Sequence, residues 1–163
     1  MKKLIFIFVL LSKSTYSQNE LRSLLKKYNT ENIPYISVDS LKKITEDIIL
    51  LDAREKKEFD VSHLKDALFV GYEKFDIRKT MNMIPDKKSK IVVYCSLGVR
   101  SEDVAEKLKK TGYIHVFNLY GGIFEWKNND NKVFTSKNIE TEKVHTCTAE
   151  WSKWLLKGEK VYE

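Results

Sequence analysis

The strongest constraint in the sequence comes from two short, uninterrupted apolar runs, Ile48-Ile49-Leu50-Leu51 and Ile91-Val92-Val93-Tyr94. A strand with one wet face alternates apolar and polar residues, whereas a run apolar at every position must be covered on both faces. The residues after each run turn to helical spacing. Lys56 to Asp60 reads as one helix and Ser101 to Thr111 as another, with Glu102 and Asp103 in its first turn. Lys109 and Lys110 close that second helix and Gly112 caps it, which suits the helix dipole at both ends. Further short strands are expected at Tyr35 to Val38, Ala67 to Val70 and Val116 to Leu119. Helical turns are expected from Asp39 or Ser40 through Ile44, from Glu73 to Asn82 before Pro85, and from Gly122 through Trp126. Strands alternating with helices predict an α/β domain with a mostly parallel sheet and helices on both faces.

The ends of the chain read differently from its middle. Lys2 and Lys3 precede the apolar run Leu4 to Leu11, and a polar stretch with Thr15 and Ser17 follows. That order is the pattern of a secretory signal peptide cut after Ser17, and the run is far short of the roughly 20 apolar residues of a membrane span. The expectation is a periplasmic or secreted protein with no membrane attachment after cleavage. The full chain carries a net charge of +6. Removing residues 1–17 takes away Lys2, Lys3 and Lys13, leaving 26 basic against 23 acidic residues, or +3. Such a charge gives no electrostatic case for a nucleic-acid partner. Residues 18–34 then read as an N-terminal helix, with Asn19 as its N-cap and Leu21, Leu24, Leu25 and Tyr28 on one face, and a linker ending at Pro34. The main domain is expected over residues 35–130 and a C-terminal helical extension packing on it over 131–163.

The chemistry-bearing feature is strand, then Cys95-Ser96-Leu97-Gly98-Val99-Arg100, then helix. Beyond the carboxyl end of a buried strand, loop amides and a helix N-terminus converge on a negative group. A cysteine there is favoured as thiolate, the nucleophilic form. Gly98 lets the loop curl, and Arg100 adds a positive charge. Cys95 is therefore the candidate nucleophile, and Ser96, Leu97, Gly98, Val99 and Arg100 the candidate substrate cradle. An isolated strand cysteine would instead pack as a small hydrophobe.

Leu51-Asp52-Ala53-Arg54-Glu55, Glu58-Phe59, His63-Leu64 and Ala67 resemble the first signature of rhodanese-like domains. Cys95 to Ser101 resembles their active-site loop, and Gly121-Gly122-Ile123-Phe124-Glu125-Trp126 resembles the signature that closes the domain. The resemblance implies a central five-stranded parallel sheet. It also implies a Cys95 persulfide that takes sulfane sulfur from a small donor and gives it to a thiol, cyanide or protein acceptor, with no metal or organic cofactor. Ser62 and Asp66 stand where the family usually has glycine. The loop has four residues between Cys95 and Arg100, one fewer than in cysteine phosphatases, which argues against phosphate esters as substrates.

Asp52 and Arg54 are expected to be a structural pair and His63 a structural residue. Trp126 should anchor its helix on the sheet. Trp151, Trp154 and Leu155 share helical spacing after Thr148, which suits a face docked on the domain, with a partner surface as the alternative. Cys147 precedes them and leaves a further reading open, a thiol–disulfide redox protein in which it resolves Cys95. A persulfide-carrying module serving one partner protein is the other alternative to an independent enzyme.

Overall fold

The computed structural model describes residues 19–44 and 47–162. The signal-like segment 1–17 lies outside the described residues. A helix, α1, covers residues 19–28. Leu21 and Leu25 are buried on it, whereas Tyr28 is 56 % exposed and takes no part in the buried face expected of it. Asn19 is already helical, so it is not the cap.

The central sheet holds β1 (Tyr35–Ile36), β2 (Ile48–Asp52), β3 (Leu68–Phe69), β4 (Lys90–Tyr94) and β5 (His115–Leu119). All five pair in parallel in the order β1-β5-β4-β2-β3. The two apolar runs are thus adjacent strands, Leu51 opposite Val93 in register. Alternate residues of β4 serve opposite faces. Val92 and Tyr94 pack with α1, with α2 (Val38–Lys43) and with α6 (Gly122–Asn128). Ile91 and Val93 pack against α5 (Arg100–Lys110) and the end of α4 (Ile77–Met83). The short helix α3 (Lys56–Val61) follows β2.

Helix starts depart from expectation where a side chain caps early or late. Ser37 accepts a hydrogen bond from the Ser40 amide, so Val38 belongs to α2 and not to the first strand. Asp76 accepts from the amides of Arg78 and Lys79, which starts α4 well after Glu73. Asp66, where the family usually has glycine, takes a left-handed φ of 61° that glycine would adopt without strain.

Beyond α6 the chain is less helical than its aromatic spacing implies. β6 (Val133–Phe134) pairs with β7 (Glu140–Thr141) antiparallel, and β8 (Lys143–His145) pairs with β9 (Glu159–Val161) in parallel. Between β8 and β9 lies one 3-10 turn, Trp151–Trp154. Val133, Val144, Trp154 and Leu155 are buried in the same core as Val92 and Tyr94. Asn128 ties the turn down, donating to the Trp154 carbonyl at 2.9 Å and accepting from the Leu156 amide at 2.7 Å. His63 exchanges backbone hydrogen bonds with Phe134, and its ring lies flat on Phe59.

Candidate active site

Cys95 follows the last residue of β4, in the middle of the sheet, and is 2 % exposed. Its sulfur accepts the Gly98 amide at 3.1 Å and lies 3.5 Å from the Ser101 hydroxyl. That curl requires the positive φ of Gly98, 116°. The Gly98 carbonyl is held from behind by the side-chain amides of Asn29 and Asn118, each at 2.8 Å. The N-terminal segment and β5 therefore both support the loop.

The other side of the loop is clamped by α6. Ile123 donates its amide to the Cys95 carbonyl at 2.9 Å, and Phe124 donates to the Ser96 carbonyl at 3.2 Å. With trans peptides throughout, the amides of Ser96 and Leu97 are then turned away from α6. A Cβ on Gly122 would stand 2.2 Å from the Cys95 carbonyl oxygen, so the second glycine of the closing signature is there for close approach.

Burial raises the Cys95 thiol, but the Arg100 guanidinium, the Ser101 hydroxyl and the amides of Ser101 and Gly98 outweigh it. The thiol is held below its ordinary value. A serine hydroxyl has a single hydrogen, and the shorter contact of Ser101 is to Asn118 Oδ1 at 2.7 Å. Arg100 and the backbone amides are consequently the steadier supports of the thiolate.

Arg100 is not a free cation in the cradle. Its two terminal nitrogens grip the carboxylate of Glu58 at 2.7 and 2.8 Å, and one also donates to the Ser96 hydroxyl at 3.0 Å. Glu58 is 1 % exposed. Burial works against its charge, yet the Arg100 bonds and the nearby Arg54 bring its carboxyl down to about 2. Ser96 and Arg100 thus form part of a buried clamp, while Leu97 is buried and Val99 half-buried beside it.

Asp52 and Arg54 pair below the loop, both fully buried, with Arg54 Nη2 2.7 Å from Asp52 Oδ2 and 2.6 Å from the Ser62 carbonyl. Neither reaches Cys95 by a hydrogen bond.

A cavity of about 420 Å³ opens over Cys95, Ser96, Leu97 and Arg100. Its wall includes His145, Cys147 and Trp151, all from the segment after α6; the sequence offers Cys147 as a resolving partner for Cys95 but does not mark His145. Both cysteines are free thiols.

A model of the rhodanese-like domain family matches residues 37–129. The chain belongs to the rhodanese-like domain family. It is 35% identical over 92 residues to tRNA uridine(34) hydroxylase of Listeria welshimeri, a match covering 53% of this chain and 28% of that enzyme. It is 31% identical over 81 residues to thiosulfate sulfurtransferase GlpE of Coxiella burnetii, covering 50% of this chain and 73% of the relative. The rhodanese-like fold is shared with the thiosulfate sulfurtransferase of Pseudomonas aeruginosa, at a TM-score of 0.61 and 15% identity, over 85% of this chain and 26% of that one. Homologues of rhodanese-like domains are sulfurtransferases or related enzymes, and the chain spans little more than a quarter of the hydroxylases it matches.

If Arg100 holds the thiolate, Arg100→Gln should raise the midpoint of Cys95 alkylation by iodoacetamide by about one pH unit. The measurement belongs in a Cys147→Ser background, so that a single thiol reports. An unchanged midpoint would leave the Ser101 hydroxyl and the backbone amides as the cause.

Proposed function

We propose that the chain is a sulfurtransferase. The Cys95 thiolate attacks the sulfane sulfur of a donor such as thiosulfate, the S–S bond of the donor breaks, and sulfite leaves with the bonding pair. The resulting Cys95 persulfide gives its outer sulfur to a thiol or to cyanide. The carrying observation is the sulfur of Cys95, buried at the foot of the cavity with an amide donor at 3.1 Å and a guanidinium nearby. Such a cradle suits a charge delocalised over two sulfurs, and the reaction asks for no metal or organic cofactor. The likeness to GlpE of Coxiella burnetii supports the same chemistry. The test is intact mass: after exposure to thiosulfate and removal of excess, the protein should retain one added sulfur atom, and an unchanged mass would sink the proposal.

A second reading follows from the hydroxylase relatives, whose identity of 34–35% is slightly higher. It predicts a change at uridine in tRNA incubated with the protein and is separated by nucleoside analysis. The mature charge of +3 favours small sulfur compounds and thiols over tRNA as partners.

Export is part of the proposal and rests on the composition of residues 1–17. Protein recovered outside the cytoplasm should begin at or near Gln18. Full-length chain confined to the cytosol would refute it.

A further inference from the structure

We infer that Cys147 is a relay thiol, which takes the sulfane sulfur from the buried Cys95 persulfide and presents it to acceptors too large to enter the cavity. This rests on the reading of Cys95 as a persulfide carrier. Cys95 is 2 % exposed, whereas Cys147 is an exposed residue on the wall of the same cavity. A persulfide sulfur on Cys95 stands about 2 Å beyond Sγ, inside the space that both thiols line.

His145 supplies an independent sign that this wall receives a ligand. Its Nδ1 accepts the Cys147 amide at 3.0 Å, so the proton of the neutral ring sits on Nε2. His145 is fully buried and lines the cavity, yet its Nε2 has no hydrogen-bond partner. An unmet buried donor is costly, and a persulfide sulfur or a donor's sulfonate oxygen in the cavity would meet it. Burial keeps the ring neutral by lowering its pKa, so it serves as a donor and not as a base.

The transfer balances without an oxidant or reductant. The Cys147 thiolate, its proton lost to solvent at the rim, attacks the outer sulfur of the persulfide. A Cys147 Sγ–S bond forms as the Cys95 Sγ–S bond breaks, and the bonding pair leaves on Cys95 Sγ. Partial burial and the Glu58 carboxylate push the Cys147 thiol up, while Cys95 is held down. A more basic thiolate therefore displaces a less basic one, the favoured direction of exchange.

The experiment loads the full mature chain with thiosulfate, caps thiols at low pH, and locates persulfide by peptide mass spectrometry. Wild type should carry sulfur on the peptides of both Cys95 and Cys147, and Cys95→Ser on neither. With reduced serum albumin as a bulky thiol acceptor and cyanide as a small one, Cys147→Ser should lower the albumin-to-cyanide rate ratio at least about tenfold. Sulfur confined to Cys95 in wild type, or an unchanged ratio, would overturn the relay and leave the carrier intact. Sulfur on neither peptide would overturn both.

Discussion

Cys95→Ser is expected to lose thiosulfate-to-cyanide transfer by at least about a thousandfold, the scale on which removal of a covalent nucleophile acts. A hydroxyl at that position is not ionised at neutral pH and forms no persulfide. Serine is nearly isosteric with cysteine, and its oxygen can accept the Gly98 amide that the sulfur now holds at 3.1 Å. The buried donor is not orphaned, so the melting temperature should stay within a few degrees of wild type. Circular dichroism then separates lost chemistry from lost fold. A folded Cys95→Ser protein that still turns over would place the nucleophile elsewhere.

The largest stability effect is expected at Asp52. Arg54 is fully buried, and burial opposes its charge; the Asp52 carboxylate outweighs that and raises its pKa. Asp52→Ala leaves the guanidinium with the Ser62 carbonyl and little else, and breaking a buried pair on one side costs about 3–5 kcal/mol. For a chain of this size that lowers the melting temperature by roughly 10 °C. Replacing both partners together, Asp52→Leu with Arg54→Met, should recover most of the loss, because no charge is then stranded. Equal losses in the single and double variants would assign the effect to packing and to the Arg54 amide, which Asp52 Oδ1 accepts at 3.0 Å. The specific rate of the folded Asp52→Ala fraction provides a further check, since neither side chain hydrogen-bonds Cys95.

The parts of this architecture legible in the sequence are those whose cause is local. The run at β4, the curl at Gly98 and the capped helix α5 are contiguous, so spacing alone places Cys95 at a strand end facing a helix start. The Glu58–Arg100 clamp joins residues 42 apart, and Glu58 showed only as one letter of a signature. Its signal was available in the capping box, since the same carboxylate that accepts the Glu55 amide holds Arg100. The path of the segment that carries His145 and Cys147 was opaque for a different reason. Its strands are two or three residues long, too short for any period, and they fold back only because Val144, Trp154 and Leu155 find the core. The aromatic spacing signalled the burial of Trp154 and Leu155, whereas Trp151 is half-buried on the cavity wall, and a helix of several turns did not follow. Trp154 is 8 % exposed at the end of a single 3-10 turn.

The bonds from α6 to the loop tie reactivity to chain completion. The amides that hold the Cys95 and Ser96 carbonyls belong to Ile123 and Phe124, which emerge well after the cysteine itself. The Glu58 that orients Arg100 emerges well before it. Until both ends of this grip have come together, Cys95 is an ordinary thiol on an extended chain, with neither a lowered pKa nor a cradle for a second sulfur. A nascent polypeptide therefore carries a cysteine with only the reactivity of any exposed thiol. Folding itself builds the surroundings that favour the Cys95 thiolate.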